Sequence, residues 1–234
     1  GVRVSAPTWH ARLGHPAKPI IQFLVSNKMV SIDGACDVPF CESCPLGKST
    51  RLPFNISESM SKFPLQLLHS DVWCSPIISN EGYRYYVLFV DDYSRYSWIF
   101  PMKQKSEVFE IFVKFKAKVE NMFNCKIKTL QCDEGGGYKS HVFQQFLDVH
   151  GISQRFLCPK HPEQNGLAER KHRHIVETAI VMLSKSSMSH KFWVDACLTA
   201  TYLINRLPTR VLSNTSPFEK IFQKQPKYDM LKVF

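Results

Sequence analysis

Between residue 63 and about residue 185 the chain moves between two hydrophobic rhythms. Leu65–Val72 is apolar, with Asp71 near its end, and reads as a strand. Tyr85–Val90 (YYVLFV) and Tyr96–Phe100 (YSWIF) are further apolar runs. The polar segment Asp91-Asp92-Tyr93-Ser94-Arg95 between them predicts a hairpin. From Ser106 to Phe123 the period lengthens. Val108, Phe109, Ile111, Phe112, Phe115 and Val119 recur at helical spacing, with Ser106 as the expected N-cap and Glu107 and Glu110 in the first turn. Lys126–Cys132 predicts a short strand leading to Asp133, and Gly135-Gly136-Gly137 a loop. Ser140–His150 predicts a helix closed by Gly151, and Ile152–Leu157 another strand. Pro162 opens a long helix to about Ser184, whose buried stripe is Ala168, Ile175, Ala179, Met182 and Leu183. Strands that alternate with helices after a hairpin predict an α/β fold built on a mixed sheet.

The flanks have a different texture. Residues 1–62 are polar and turn-rich and hold all the paired His and Cys; Pro53–Ser59 reads as a linker. Residues 186–234 are helical, then irregular with Pro and Lys. The expected division is therefore 1–62, a catalytic core at 63–185, and a C-terminal extension at 186–234. No apolar run approaches the ~20 residues that span a bilayer, so no membrane partner is expected. Arg3 and Arg12 bracket no signal-peptide core, and the chain, which does not begin with Met, reads as a segment of a longer polypeptide.

Composition adds a partner. Thirty Lys and Arg against 20 Asp and Glu give a formal charge of +10, which favours a polyanion, most simply nucleic acid. Hydrophobic residues at 44% exclude a disordered tail. Of 8 cysteines, only Cys36, Cys41 and Cys44 cluster, which in a basic intracellular chain points to a metal before a disulfide.

Two Asp and one Glu are the candidate chemistry. Asp71 and Asp133 end predicted strands on one side of a sheet, where α/β folds place their sites. Glu169 lies in the first turns of the long helix, with 35 residues between it and Asp133. Singly each has a plainer reading: a strand-end turn, an Asx-turn before the glycines, a solvated helix residue. Together they would repel unless hard cations neutralised them. Carboxylates suit Mg²⁺, which also accepts phosphate oxygens, and two such ions ~4 Å apart serve in-line phosphoryl displacement. Asp91 and Asp92 are read instead as hairpin-turn formers.

On the long helix Arg173 shares a face with Glu169, either as a phosphate contact or as its intrahelical partner. Asn165, Lys171 and Arg173 are candidate DNA contacts, as is Lys48 in the basic segment Gly47–Arg51. Asn165 equally fits a turn and Lys48 a solvated linker. His10 and His15 (H-x4-H) and Cys41 and Cys44 (C-x2-C), with 25 residues between the pairs, form a ligand set for one structural Zn²⁺. Cys36 is the one ambiguity in that set. About 60 residues with a thin apolar supply need such a staple.

Taken in order, WHARLGHP, CESCPLGKSTRLPF, LHSDVW, YVLFVDDYSRYSWIF, LQCDEGGGYKS, GISQRFLCPKHPEQNGLAERKHRHIVETA and FWVDACLTATYLINRLPT resemble the integrase of Ty1/copia-type LTR retrotransposons. The resemblance implies a small helical HHCC zinc-binding pre-integrase domain, then a ribonuclease H-like core with a five-stranded mixed sheet flanked by helices. It places the family's two Asp and one Glu on Asp71, Asp133 and Glu169, and its zinc ligands on His10, His15, Cys41 and Cys44. It implies two Mg²⁺ or Mn²⁺ ions, trimming of the 3′ ends of element DNA, and joining of those ends to target DNA by a homo-multimer. The expected setting is intracellular, in the nucleus and in a cytoplasmic virus-like particle. Gly137 stands where the family often carries an acidic residue before the Tyr. A hydrolytic nuclease of the same fold and a catalytically silent, zinc-stabilised nucleic-acid-binding remnant are the rival readings.

Overall fold

A computed structural model describes residues 4–13, 18–28, 30–41, 60–133, 136–156, 166–228 and 231. The chain divides into two compact units, Gly1–Ser57 and Glu58–Phe234. None of its helices is long and apolar enough to cross a membrane, among the described residues.

The first unit carries α1 (Ala6–Arg12) and α2 (Lys18–Ser26). Ala6, His10 and Ile21 are buried, Trp9 Nε1 donates to the Ser31 carbonyl at 3.0 Å, and Val4 bridges Ile32. Phe23 and Phe40 remain exposed, so little apolar surface is buried here.

The second unit is built on five strands: β1 (Leu67–Cys74), β2 (Tyr85–Asp91), β3 (Ser97–Met102), β4 (Thr129–Cys132) and β5 (Ser153–Phe156). Their order is β3-β2-β1-β4-β5. The first three form an antiparallel meander, and β4 and β5 join parallel to β1, which makes the expected mixed sheet. One face is covered by α3 (Val108–Phe123) and α4 (His141–Val149). The other is covered by α5 (Gly166–Lys185) and α6 (Trp193–Ile204). Strand β2 shows why its sequence is an unbroken apolar run. Val87 and Phe89 pack on the α3 side, Tyr86, Leu88 and Val90 on the α5 side, and neither face is wet.

Two details differ from the sequence reading. The cap before α3 is not Ser106. A 3₁₀ turn at Lys105–Glu107 precedes the helix, and Gln104 and Glu107 form a reciprocal capping box, with the Lys103 and Gln104 amides donating to Glu107 Oε1. Ser140, by contrast, caps α4 as expected by accepting from the Phe143 amide. Asp71 lies inside β1 rather than at its end, because the ladder to β2 continues to Cys74.

Residues beyond 185 are woven into this unit. Trp193, Ala196, Cys197, Ala200 and Ile204 join the core under the sheet. Asn205 is buried, and its amide accepts from Ser97 N at 2.9 Å and donates to Ser97 O at 2.8 Å, satisfying both backbone groups where β3 begins. The short helix α7 (Pro217–Phe222) then sets Phe222 against Tyr96 and Phe123.

The hairpin turn holds the two acidic residues read as structural. Asp91 is fully buried and accepts from the Leu65 and Ser94 amides and the Ser94 hydroxyl. Asp92 accepts from the Ser61 amide and Arg95 Nη1, both at 2.7 Å, with His69 Nε2 at 3.5 Å. Burial pushes Asp92 upward, but His69, the Ser61 amide and Arg95 outweigh it and hold the carboxyl well below the ordinary range. A depressed folded pKa contributes stability above the unfolded value of about 3.9 and loses it as pH falls toward the folded value. Asp92→Asn should therefore cost about 2–3 kcal/mol in urea unfolding at pH 7. That difference from the parent chain should shrink steadily when the titrations are repeated below pH 4.

Candidate active site

Alternation along β1 decides where Asp71 points. Leu68 and Val72 pack with the α3 layer, so residues 69, 71 and 73 face the α5 layer, where Trp73 meets Tyr86 and Trp193 at ring distances of 5.2 and 5.4 Å. In β4, Leu130 and Cys132 belong to the α3 side, so Gln131 faces as Asp71 does, and Asp133 is the residue that follows the strand. Ser70 lies opposite Cys132 in the parallel ladder. Asp71 and Asp133 are each one step further on, Asp71 within β1 and Asp133 just past the end of β4.

The third carboxylate arrives on α5. Ala168, His172, Ile175, Ala179 and Leu183 form the buried stripe of that helix. His172 Nε2 lies 3.3 Å from Asp71 Oδ2, and Glu169 is one turn earlier on the same helix, exposed. The fold thus places Asp71 and the turn bearing Glu169 on the α5 side of the sheet, with Asp133 directly after the neighbouring parallel strand. Among the described residues no three His, Cys, Asp or Glu side chains already stand in ligating positions around one point. The set is open and all-oxygen. That chemistry fits Mg²⁺, which completes its shell with water and substrate phosphate, and does not fit a closed thiolate or imidazole site.

The loop after Asp133 is tied down by a residue the sequence reading passed over. Tyr138 is completely buried; its hydroxyl lies 2.5 Å from Ser70 Oγ, and its carbonyl accepts from Gln154 Nε2 at 3.1 Å. One side chain therefore connects the loop to β1, beside Asp71, and its backbone connects to β5. Gly137, where an acidic residue was expected, faces the Lys105 carbonyl and Val108 at ordinary contact distances. Cys132, next to Asp133, has its thiol pushed up to about 12 by burial, against the Gln154 hydrogen bond, and stays protonated.

The remaining candidates separate. Arg173 is exposed and, among the described residues, forms no ion pair with Glu169, so its guanidinium faces solvent. Lys171 is half-buried; burial and then Arg95 push its pKa down to about 8. Asn165 and Lys48 lie outside the described residues, as do His15 and Cys44. Of the zinc set, His10 is buried on α1 and Cys41 is half-buried. Sequence reasoning missed His172 and Tyr86. The available signal was a histidine at i, i+4 from Ala168 in a stripe otherwise made of small and aliphatic side chains.

Two known families match the chain. Residues 62–162 match the integrase core domain family, and residues 3–49 match the GAG-pre-integrase domain family. The Retrovirus-related Pol polyprotein from transposon RE1 of Arabidopsis thaliana is 46% identical over 228 residues, covering 97% of this chain and 15% of the relative. The chain thus carries an integrase core domain preceded by a GAG-pre-integrase domain. It spans about 15% of the length of that curated relative. A simian T-cell lymphotropic virus intasome, solved with the PP2A regulatory subunit B56 gamma, has a similar fold. Its TM-score is 0.57 at 14% identity, over 98% of this chain and 80% of that one. The HTLV-2 integrase catalytic core domain, solved with magnesium in a trimeric form, gives 0.51 at 19% identity, over 68% of this chain and 98% of that one. At those identities the likeness is one of fold, and it fixes the five-stranded sheet as ribonuclease H-like.

The bond between Tyr138 and Ser70 generates a test. Tyr138→Phe leaves the buried Ser70 hydroxyl without its partner and should cost about 1–3 kcal/mol in chemical denaturation. Adding Ser70→Ala to that variant should recover most of the loss, because both polar ends are then gone. A double variant no more stable than the single one would mean the bond does not tie the loop to β1.

Proposed function

We propose that this chain is the zinc-binding and catalytic part of a DNA integrase that trims the 3′ ends of an element's DNA copy and joins them to target DNA. The observation that supports the reading is the His172–Asp71 contact, with Glu169 one turn earlier on the same helix and Asp133 next to the strand end that pairs in parallel with β1. In this reading Asp71 would help to hold both of two Mg²⁺ or Mn²⁺ ions, and Asp133 and Glu169 would each help to hold one. Bound there, the ions supply activation of the attacking oxygen and charge stabilisation of the leaving oxygen. The chain's own residues hold those carboxylates in place, through the sheet register for the two Asp and through α5 for Glu169. Water is the attacking group in trimming and the freed 3′-hydroxyl in joining, so no Ser or Tyr nucleophile is needed.

The net charge of +10 suits a DNA polyanion, and exposed Arg173, one turn beyond Glu169, suits a backbone phosphate. Lys171, half-buried beside Arg95, suits that role less well. Asn165 and Lys48 complete the proposed DNA contacts. In the first unit, His10, His15, Cys41 and Cys44 would hold one structural Zn²⁺. Function as a homo-multimer on two DNA ends, in the nucleus and in a virus-like particle, belongs to the same proposal.

The decisive measurement is a joining assay with a labelled DNA end and Mg²⁺ or Mn²⁺. The parent chain should insert the end into target DNA. Asp133→Asn and Glu169→Gln should fall to background while DNA binding persists. Cutting without joining would favour the hydrolytic nuclease, and no chemistry in any variant would leave the DNA-binding scaffold. The zinc assignment is tested separately. Chelation, or Cys44→Ser, should unfold the first unit and lower joining. A metal-free chain that keeps the NMR dispersion of residues 4–41 would refute it.

A further inference from the structure

His172 sits between two polar groups. Its Nδ1 lies 2.9 Å from the Tyr86 hydroxyl and its Nε2 lies 3.3 Å from Asp71 Oδ2. With an ionised carboxylate and a neutral imidazole, one arrangement of protons suits both contacts. An ionised carboxylate only accepts, a neutral imidazole carries one N–H and one lone pair, and a phenol can donate. Nε2 is buried and has no hydrogen-bond partner of its own, so the Asp71 oxygen is the acceptor at hand. With the proton on Nε2, Nδ1 is a lone pair and the Tyr86 hydroxyl donates to it. Tyr86 can serve as the fixed end of this chain. It is fully buried, its ring lies 5.2 Å from those of Trp73 and His172 and 6.3 Å from that of Trp193, and burial pushes its phenol pKa up, so the proton stays.

Asp71 is held from its other side as well. Its Oδ1 accepts from the Val72 amide at 2.8 Å. Each carboxylate oxygen then faces one protein donor and keeps a further lone pair.

We propose that Tyr86 and His172 are positioning residues for Asp71: the Tyr86 hydroxyl fixes the tautomer of His172, and the Nε2–H so placed sets the Asp71 carboxylate for cation binding. This rests on the reading of Asp71 as a metal ligand given above. Groups that orient a ligating carboxylate matter nearly as much as the ligand, and their loss commonly costs about 10–100-fold in metal affinity. A histidine that only filled the core would show no such dependence.

The test uses the 234-residue chain and Mn²⁺ alone, without DNA. Mn²⁺ uptake is followed by EPR of the free ion, and the His172 ring by nitrogen-15 NMR, assigned by its loss in His172→Leu. The parent chain should bind Mn²⁺, Asp71→Asn should not, and His172 should show the proton on Nε2. Tyr86→Phe keeps the ring and removes the hydroxyl. It should weaken Mn²⁺ binding about 10–100-fold and mix the two His172 tautomers. His172→Leu should weaken binding at least as much, and His172→Gln, which keeps an N–H donor, should recover part of it. The relay is overturned if His172 carries its proton on Nδ1 in the parent chain, or if Tyr86→Phe and His172→Leu bind Mn²⁺ as the parent does. A parent chain that takes up no Mn²⁺ through Asp71 overturns the metal reading itself, and the relay with it.

Discussion

Because side chains on a strand alternate between faces, the position of Asp71 relative to the strand end that leads into Asp133 depends on β1 and β4 running parallel with Ser70 opposite Cys132. A slip of one residue would exchange the core and α5-side positions of β4 against β1. Several features guard that register. Leu68, Val72, Leu130 and Cys132 are apolar and packed on one side, so the slipped arrangement would bury Asp or Gln among phenylalanines. Tyr138 then joins the loop beyond β4 back to Ser70 in β1. The chemistry of the site is in this sense a consequence of strand pairing.

The same residue type plays opposite parts a few ångströms of strand apart. Asp91 is satisfied by two amides and a hydroxyl, and Asp92 by an amide and Arg95. Their oxygens are taken up in closing the hairpin, so they have little to offer a cation. Asp71 has one amide and a histidine nitrogen at 3.3 Å, and is only half-buried. An under-satisfied carboxylate beside another carboxylate marks chemistry, whereas a fully bonded one marks architecture.

This contrast explains what the sequence could tell. The strands were legible because β2 is apolar on both faces and its hairpin turn is rich in Asp and Ser. The helices were legible from their period, and Ser140 and Gly151 bounded α4 correctly. The capping box of Gln104 and Glu107 was not, because Ser106 offered a better local cap and only the packing of Val108 shows where the helix turns inward. The three carboxylates stood out by their positions in the pattern and by the family resemblance, whereas His172 and Tyr86 did not. Tyr86 looks like one aromatic among many in YYVLFV, and a histidine in a helix has many uses. Their contact spans 86 positions of sequence and exists only once α5 lies on the sheet.

Helix α5 then reconciles two demands that conflict. Gathering three carboxylates on one flank is repulsive, yet the core below them must exclude water. The buried stripe from Ala168 to Leu183 anchors the helix, while Glu169 and Arg173 ride on its exposed side. Glu169 falls in the first turn, where the partial positive charge of the helix end favours an acidic side chain. That end carries about half an elementary charge, so it offsets part of the repulsion and leaves the larger part uncompensated. His172, one turn on, brings its Nε2 to 3.3 Å from one oxygen of Asp71. In the proposed reading, divalent cations would offset the remaining repulsion while leaving coordination positions for phosphate.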